Sequence, residues 1–138
     1  MAIWKINAAD GSVVWTMNYG TAGTATGLES VSRLSDGSFV IGGYTDAPDG
    51  FSSFKSGGQV EGAKPFLARI SQSDAAGSTA PTSFAWTYSL SESIGSTKAI
   101  RVDSSDKIFA VVGVTTNVIK LNADGSLVWN TGQIKASA

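Results

Sequence analysis

The sequence contains no cysteine and no histidine, and it has only three prolines among 138 residues. Without cysteine there is neither a disulfide framework nor a thiolate metal site. Without histidine the commonest general base and the commonest metal ligand are absent, and a conventional Ser-His-Asp triad is impossible. We therefore expect no enzyme activity, no bound metal and no cofactor.

Clustered charge and long apolar runs are also missing. Ten Lys and Arg residues nearly balance eleven Asp and Glu residues, and the basic residues do not cluster as nucleic-acid binding requires. No apolar run approaches the ~20 residues of a membrane helix, and no signal-peptide pattern opens the sequence. We expect neither a nucleic-acid partner nor a membrane span. The length suits one domain with a sizeable core.

Apolar residues that alternate or form short runs between Ser, Thr, Gly and Ala predict an all-β fold. Three Asp-Gly pairs, Asp10-Gly11, Asp36-Gly37 and Asp124-Gly125, supply the positive φ that tight hairpins need, so successive strands should pair antiparallel. The ten candidate strands are 2–7, 12–19, 29–34, 38–45, 65–71, 83–90, 97–103, 107–115, 117–122 and 126–132.

Two candidate strands, 38–45 and 107–115, are apolar on both faces, which predicts central strands that are covered on both sides. The strand at 12–19 instead alternates, with apolar side chains on one face and polar ones on the other. This pattern predicts an outer strand with one packed face, formed by Val13, Trp15, Met17 and Tyr19.

The stretch "INAADGSVVW" at 6–15 returns as "LNADGSLVW" at 121–129. Trp86 lies 43 residues before Trp129, and the intervening sequence accommodates four strands. A period of about 40–50 residues with four strands is typical of propeller blades. Repeated positions form columns: Trp15, Trp86 and Trp129; Lys5, Arg69 and Lys120; and, at an offset of 70 residues, Phe39 with Phe109 and Gly43 with Gly113.

These repeats resemble those of bacterial-type β-propellers. The resemblance is carried by "RLSDGSFVIGGYT" (33–45), "PFLARIS" (65–71), "RVDSSDKIFAVVGVT" (101–115) and "VIKLNADGSLVWNTG" (118–132). The segment "DGSVVWTMNYG" (10–20) is also similar to the tryptophan-docking repeats of quinoprotein-type propellers. The resemblance implies four-stranded antiparallel blades and favours an extracellular or cell-surface location. It rests on turn glycines and packing aromatics, which indicate a fold rather than an activity.

In that register the chain contains a half blade at 1–20, a blade at 28–90 with inserts at 46–64 and 72–82, and a blade at 96–132. A closed propeller needs about four blades, so two and a half blades cannot close a ring. We expect the chain to be part of a larger propeller or to form a homo-oligomer or larger assembly. Exposed apolar faces would then be its interaction surfaces.

The conspicuous side chains each have two interpretations. The three Trp of the column could stack on a ligand, but packing between blades explains them better. The residues Asp10, Asp36, Asp103, Asp106 and Asp124 could bind calcium or form an acid pair, but hairpin-turn chemistry explains their positions better. The basic column could bind an anion, or it could be a row of partly buried stems with solvated heads.

Three functions are compatible with the sequence. The leading hypothesis is a non-catalytic structural or protein-interaction module. The alternative is a lectin-like propeller, for which the candidate glycan or partner loop contains Phe51, Phe54 and Gln59. The third is a fragment of a quinoprotein-like enzyme, although the catalytic acid and cation site of that family have no identifiable match in this sequence.

Overall fold

The computed structural model describes residues 1–19, 25–46, 64–89, 95–113 and 117–131. All ten expected strands are confirmed, and one short helix accompanies them. The strands are β1 (Ala2–Ile6), β2 (Val13–Asn18), β3 (Thr26–Arg33), β4 (Phe39–Thr45), β5 (Lys64–Ile70), β6 (Trp86–Ser89), β7 (Thr97–Val102), β8 (Ile108–Val112), β9 (Asn117–Leu121) and β10 (Leu127–Asn130), and the helix is α1 (Gln72–Ala76).

The strands form three antiparallel sheets, as the turn signals predicted. The first sheet is the pair β1-β2, the second is β3-β4-β5-β6, and the third is β7-β8-β9-β10. Within each sheet, strands that follow one another in the chain pair with each other, so the two four-stranded sheets are simple meanders. Among the described strands no sheet closes on itself.

The Asp-Gly hairpins form because Asp and the following Ser stabilise the turn locally. The Asp124 carboxylate accepts hydrogen bonds from the backbone N–H of Ser126 at 2.9 Å and from its hydroxyl at 2.6 Å. Asp10 with Ser12 and Asp36 with Ser38 make the same two bonds. The glycine between them has positive φ in all three turns, which explains the Asp-Gly-Ser sequence.

The sheets stack face to face with two apolar layers between them. We call the side of a sheet that faces the next sheet along the chain its forward face, and the opposite side its rear face. The layer between the first and second sheets contains Trp15, Met17, Tyr19, Ile41, Phe66, Ala68 and Ile70. The layer between the second and third sheets contains Leu34, Val40, Leu67, Ile100, Ile108, Ala110, Val112, Ile119 and Leu121.

Close approach of the second and third sheets depends on a glycine in β4. A Cβ atom on Gly42 would lie 2.6 Å from Cγ2 of Thr97, so no larger residue fits without displacing β7. The hydroxyl of Thr97 in turn donates to the backbone carbonyl of Phe66 at 2.7 Å in the buried interface. The bond satisfies a buried polar group and fixes the two sheets relative to each other.

Burial confirms part of what the strand patterns predicted. Strand β4 is buried on both faces, as expected. Strand β8 is buried on its rear face only, because among the described strands no further sheet covers its forward side chains Phe109 and Val111, which remain half-buried. In β2, Trp15 and Met17 share the packed face with Tyr19, which follows the strand, but Val13 is exposed beside a register shift in the pairing with β1.

The strand register corrects the alignment of the two four-stranded sheets. Arg33 pairs with Phe39 and Val102 with Ile108, so equivalent residues of the two hairpins are 69 residues apart. The matches of Phe39 with Phe109 and of Gly43 with Gly113, made at 70 residues, are therefore wrong by one position. The match at 70 residues aligns identical residue types. In the hydrogen-bonded ladder, however, Gly43 pairs with Leu28, and Gly113 lies beyond the end of β8.

The segment at 72–82 begins with helix α1, which the strand-and-turn interpretation did not predict. Ser71 caps the helix by accepting a hydrogen bond from the backbone N–H of Asp74 at 3.1 Å. Ser three residues before an acidic side chain is a helix-start signal, and it is present in the sequence. No helix in the described parts of the chain is long and apolar enough to cross a membrane.

Candidate functional site

Each sheet carries a Trp opposite a basic residue on its last two strands. The backbone register pairs Lys5 with Trp15, Arg69 with Trp86 and Lys120 with Trp129. The members of the two columns are thus cross-strand neighbours, a relationship that the sequence analysis did not predict. Because both members of a pair share a face, each Trp and its cation project together toward the next position in the stack.

The second pair docks on the turn that joins β9 and β10 of the third sheet. The indole Nε1 of Trp86 and the guanidinium Nη1 of Arg69 both donate to the backbone carbonyl of Ala123, each at 2.9 Å. The Trp86 ring also covers Gly125, where an added Cβ would lie 2.7 Å from Cδ2 of the ring. The turn at 122–126 is therefore a binding seat for a Trp and its cationic partner.

Arg69 also ties this seat to the β3–β4 turn. Its Nε donates to the hydroxyl of Ser38 at 3.0 Å, and its guanidinium forms a salt bridge with Asp36. The hydrogen bond from the Ser38 hydroxyl is the main cause that lowers the pKa of the Asp36 carboxyl. Arg69 makes a smaller contribution in the same direction. The expectation of an anion site or a solvated head is wrong for Arg69, which binds oxygen atoms of the protein itself.

The first pair docks on the helical segment that follows β5. The ammonium of Lys5 donates to the carbonyls of Ala76 and Gly77 at 2.9 and 2.6 Å, so its head is not merely solvated. Trp15 is only 8% exposed, which confirms its expected burial. Its indole Nε1, however, has no hydrogen-bond partner among the described residues.

The third pair has nothing over it in the described part of the chain. Trp129 is 39% exposed, so its expected burial between blades is wrong for this chain alone. The rings of Trp129 and Phe109 make an edge-to-face contact, with their centroids 6.2 Å apart. The ammonium of Lys120 lies 5.0 Å from the centroid of the same Phe109 ring. An aromatic and cationic patch therefore covers the forward face of the third sheet.

The described residues leave the rear face of the first sheet uncovered as well. Trp4, one residue before Lys5, is 63% exposed, whereas Ala68 and Ile119 at the same position in the other sheets are 0% exposed. Ile6, one residue after Lys5, is 53% exposed, whereas the equivalent Ile70 and Leu121 are 4% and 0% exposed. Positions that are core in two sheets are thus surface in the first.

The inner strands of the second sheet show the same contrast. Val31 pairs with Ile41 and is 61% exposed, while its equivalent Ile100, which pairs with Ala110, is 0% exposed. Among the described residues the first sheet consists of β1 and β2, whereas the other two sheets have four strands each. A cavity of about 290 Å³ opens there, lined by Trp4, Trp15, Val31, Phe39 and Ile41 among others.

The five Asp residues that the sequence places in hairpin turns serve turns and sheet contacts. Hydrogen bonds from the hydroxyls of Ser12 and Ser126 lower the pKa of the Asp10 and Asp124 carboxyls. A backbone N–H bond from Lys107 lowers the pKa of Asp103. Asp106 has a positive φ of 56° in its turn, and its carboxylate accepts from the Ser35 backbone N–H across the interface between sheets. No three His, Cys, Asp or Glu side chains cluster within the described segments.

The candidate loop residues Phe51, Phe54 and Gln59 lie outside the described residues. The docking seat was missed by sequence reasoning because its acceptor is a backbone carbonyl. The repeated "NA(A)DGS" turn was the available signal, and it was interpreted only as a hairpin. No model of a known protein family matches the chain, and a search of curated proteins found no relative.

Proposed function

We propose that the chain is a non-catalytic protein-interaction module built of β-propeller-type blades, whose uncovered end faces bind further blades. Support for the blades comes from two four-stranded antiparallel meanders that stack in chain order behind a two-stranded sheet. In a closed ring, neighbouring blades cover both faces of every blade. A stack of two and a half blades instead has one uncovered face at each end.

The observation that carries the proposal is the exposure of Trp4 and Ile6. The internal repeat provides the reference, because the same positions are 0–4% exposed in both other sheets. An unpaired apolar face of this kind is a feature of protein-interaction sites. It also explains why a large aromatic residue, which is costly to leave in water, occupies the position of a small Ala68.

Two further observations support an interaction role. Val31 is exposed and lines an apolar cavity beside β1, whose outer edge pairs with no other described strand. A strand edge with an adjacent apolar pocket favours the addition of strands. At the other end of the stack, Phe109 and Trp129 present the aromatic surface that is enriched in interface hot spots.

The test is the mass of the full chain in solution, measured by light scattering over a wide range of micromolar concentrations. We expect the wild type to associate as concentration rises. Ile6→Lys, which places a charge on the exposed rear face, should weaken association, while Ser104→Lys, which adds the same charge in an exposed turn, should not. A wild-type chain that stays monomeric and well dispersed throughout would contradict the proposal.

The carbohydrate alternative depends on Phe51, Phe54 and Gln59. Binding on a glycan array that is lost in Phe51→Ala and Phe54→Ala, with the mass in solution unchanged, would favour the lectin hypothesis instead. Binding of a quinone cofactor, detected by its absorbance on reconstitution, would favour the enzyme hypothesis.

A further inference from the structure

The Asp-Gly-Ser turn that holds Trp86 has a second copy in the sequence, which the described residues leave uncovered. The covered copy is the turn at 122–126, sequence N-A-D-G-S, which holds Trp86 on Ala123 and Gly125. The uncovered copy is the turn at 7–12, sequence N-A-A-D-G-S, in the first sheet. No described residue lies within 4 Å of a Cβ built on Gly11, where the equivalent Gly125 is in contact with a Trp ring.

The two turns share their closing contacts, although the glycine N–H donates to the Asn carbonyl four residues back at Gly11 and three residues back at Gly125. In each, the Asp carboxylate accepts from the N–H and hydroxyl of the Ser two residues later, at 2.6–2.9 Å. In each, the glycine has positive φ, 74° at Gly11 and 85° at Gly125. In each, the Asn backbone N–H donates to the carbonyl of the closing Ser. The first turn is one residue longer, and Ala9 precedes its Asp as Ala123 does in the second.

The side chain that fits the uncovered turn is also present in this chain. Trp129 occupies the position of Trp86, faces forward, and is exposed. Its cross-strand partner Lys120 occupies the position of Arg69, which shares the Ala123 carbonyl with Trp86. Trp129 and the turn at 7–12 lie at opposite ends of the stack, with the second sheet between them, so one copy cannot bring them together.

We infer that Trp129 of one copy docks on the turn at 7–12 of a second copy. In this contact the indole N–H donates to the Ala9 carbonyl, the ring covers Gly11, and the ammonium of Lys120 approaches the same carbonyl. Ile6, which directly precedes the turn, becomes buried as Leu121 is in the third sheet. The contact is head-to-tail, because the surface on one copy differs from the surface on the other. It rests on the proposed function and specifies its partner as a second copy.

The test uses two variants of the full chain that each disable one end. Trp129→Ala removes the docking ring. Gly11→Asn obstructs the turn, and Asn tolerates a positive φ better than other residues with a side chain. Sedimentation velocity should show each variant alone as a monomer at concentrations where the wild type associates. An equal mixture should contain a dimer and nothing larger, since the mixture retains one intact Trp and one intact turn.

Matched variants exclude general damage. Gly37→Asn makes the same change in an Asp-Gly-Ser turn that holds no Trp, and Val128→Ala removes another exposed apolar side chain from β10; both should associate like the wild type. If Gly11→Asn unfolds, Ile6→Lys replaces it as the variant with a blocked rear end.

Dimers in the mixture but not in either variant alone support the inference. Variants that associate as strongly as the wild type would overturn it, while the proposed interaction role would stand through another surface. Variants that stay monomeric when mixed would overturn it as well. A wild type that never associates would contradict both this inference and the proposed function.

Discussion

The indole Nε1 of Trp86 donates to the backbone carbonyl of Ala123 at 2.9 Å across the boundary between the second and third sheets. Arg69 donates to the same oxygen, so a Trp and a cation from neighbouring strands converge on one turn. The turn accommodates them because it is closed by Asp124 and Ser126 and has a glycine under the ring. The contact between the second and third sheets thus includes a side-chain pair that binds a backbone turn.

The first prediction concerns the unequal burial of the Trp column. Trp15→Ala should lower the free energy of unfolding by about 3–5 kcal/mol, since a buried ring is lost. Trp129→Ala should lower it by about 1 kcal/mol or less, because an exposed side chain contributes little to folding. Urea denaturation at a concentration where the protein is monomeric measures both values. Equal losses at the two positions would contradict the assigned burial.

The second prediction separates the two turn glycines. Gly11→Ala forces a residue with a side chain into positive φ and should cost about 1–2 kcal/mol. Gly125→Ala carries the same strain and in addition drives a Cβ into the Trp86 ring, which should add about 1–3 kcal/mol of overpacking. Thermal or urea denaturation of the two variants gives the difference. A Gly125→Ala variant no less stable than Gly11→Ala would show that Trp86 does not rest on this turn.

The third prediction concerns the interface between β4 and β7. Gly42→Ala should destabilise the fold by about 1–3 kcal/mol, because its Cβ meets the Thr97 methyl group. Thr97→Ser removes that methyl group but keeps the hydroxyl that donates to Phe66. The double variant should therefore be more stable than the sum of the two single losses predicts. Strict additivity in a double-mutant cycle would argue against this contact.

The fourth prediction concerns acid stability. Hydrogen bonds from Ser hydroxyls lower the pKa of Asp10, Asp36 and Asp124 in the folded state. A depressed folded pKa gives stability that is present above the ordinary Asp pKa of about 3.9 and is lost as the pH falls through the folded value. Unfolding curves should thus show a decrease in stability below about pH 4.

Replacement of all three Asp residues by Asn should flatten this acid dependence, since Asn keeps an acceptor oxygen but does not titrate. Ser126→Ala should raise the pKa of Asp124 toward its ordinary value, which carbon-detected NMR titration of the carboxyl measures. An unchanged acid dependence in the triple Asn variant would assign the effect to other groups.

The sequence was sufficient to predict the strands because their signals are local. The alternation of apolar and polar residues and the Asp-Gly-Ser turns each involve only a few neighbouring residues. Such local patterns were enough to predict the ten strands. The same local logic should have found α1, where Ser71 and Asp74 form a helix-start signal, but the absence of apolar helical spacing in five residues obscured it. The register could not be deduced from residue identity, because Phe39 is equivalent to Ile108 in the hydrogen-bonded ladder rather than to Phe109.

The sequence indicated the side chains that dock but not the acceptor on which they dock. The Trp and cation columns were visible as repeats, but the acceptor is the carbonyl of Ala123, and every residue has a carbonyl. The exposure of Trp129 agrees with its place in the last repeat of a stack that does not close, but burial had been expected for all three Trp because they share one column. Both features depend on which sheet faces which, a property of the stack rather than of any strand.

The most direct test of Trp docking on the neighbouring turn is the hydrogen exchange of the indole N–H groups, assigned by single Trp→Phe variants in nitrogen-15 NMR spectra. The Trp86 indole should exchange slowly at every concentration, because it is bonded to Ala123. The Trp129 indole should exchange quickly in dilute protein and slowly when the chain associates. A Trp86 indole that exchanges as fast as that of the exposed Trp4 would show that Trp86 does not dock on the turn.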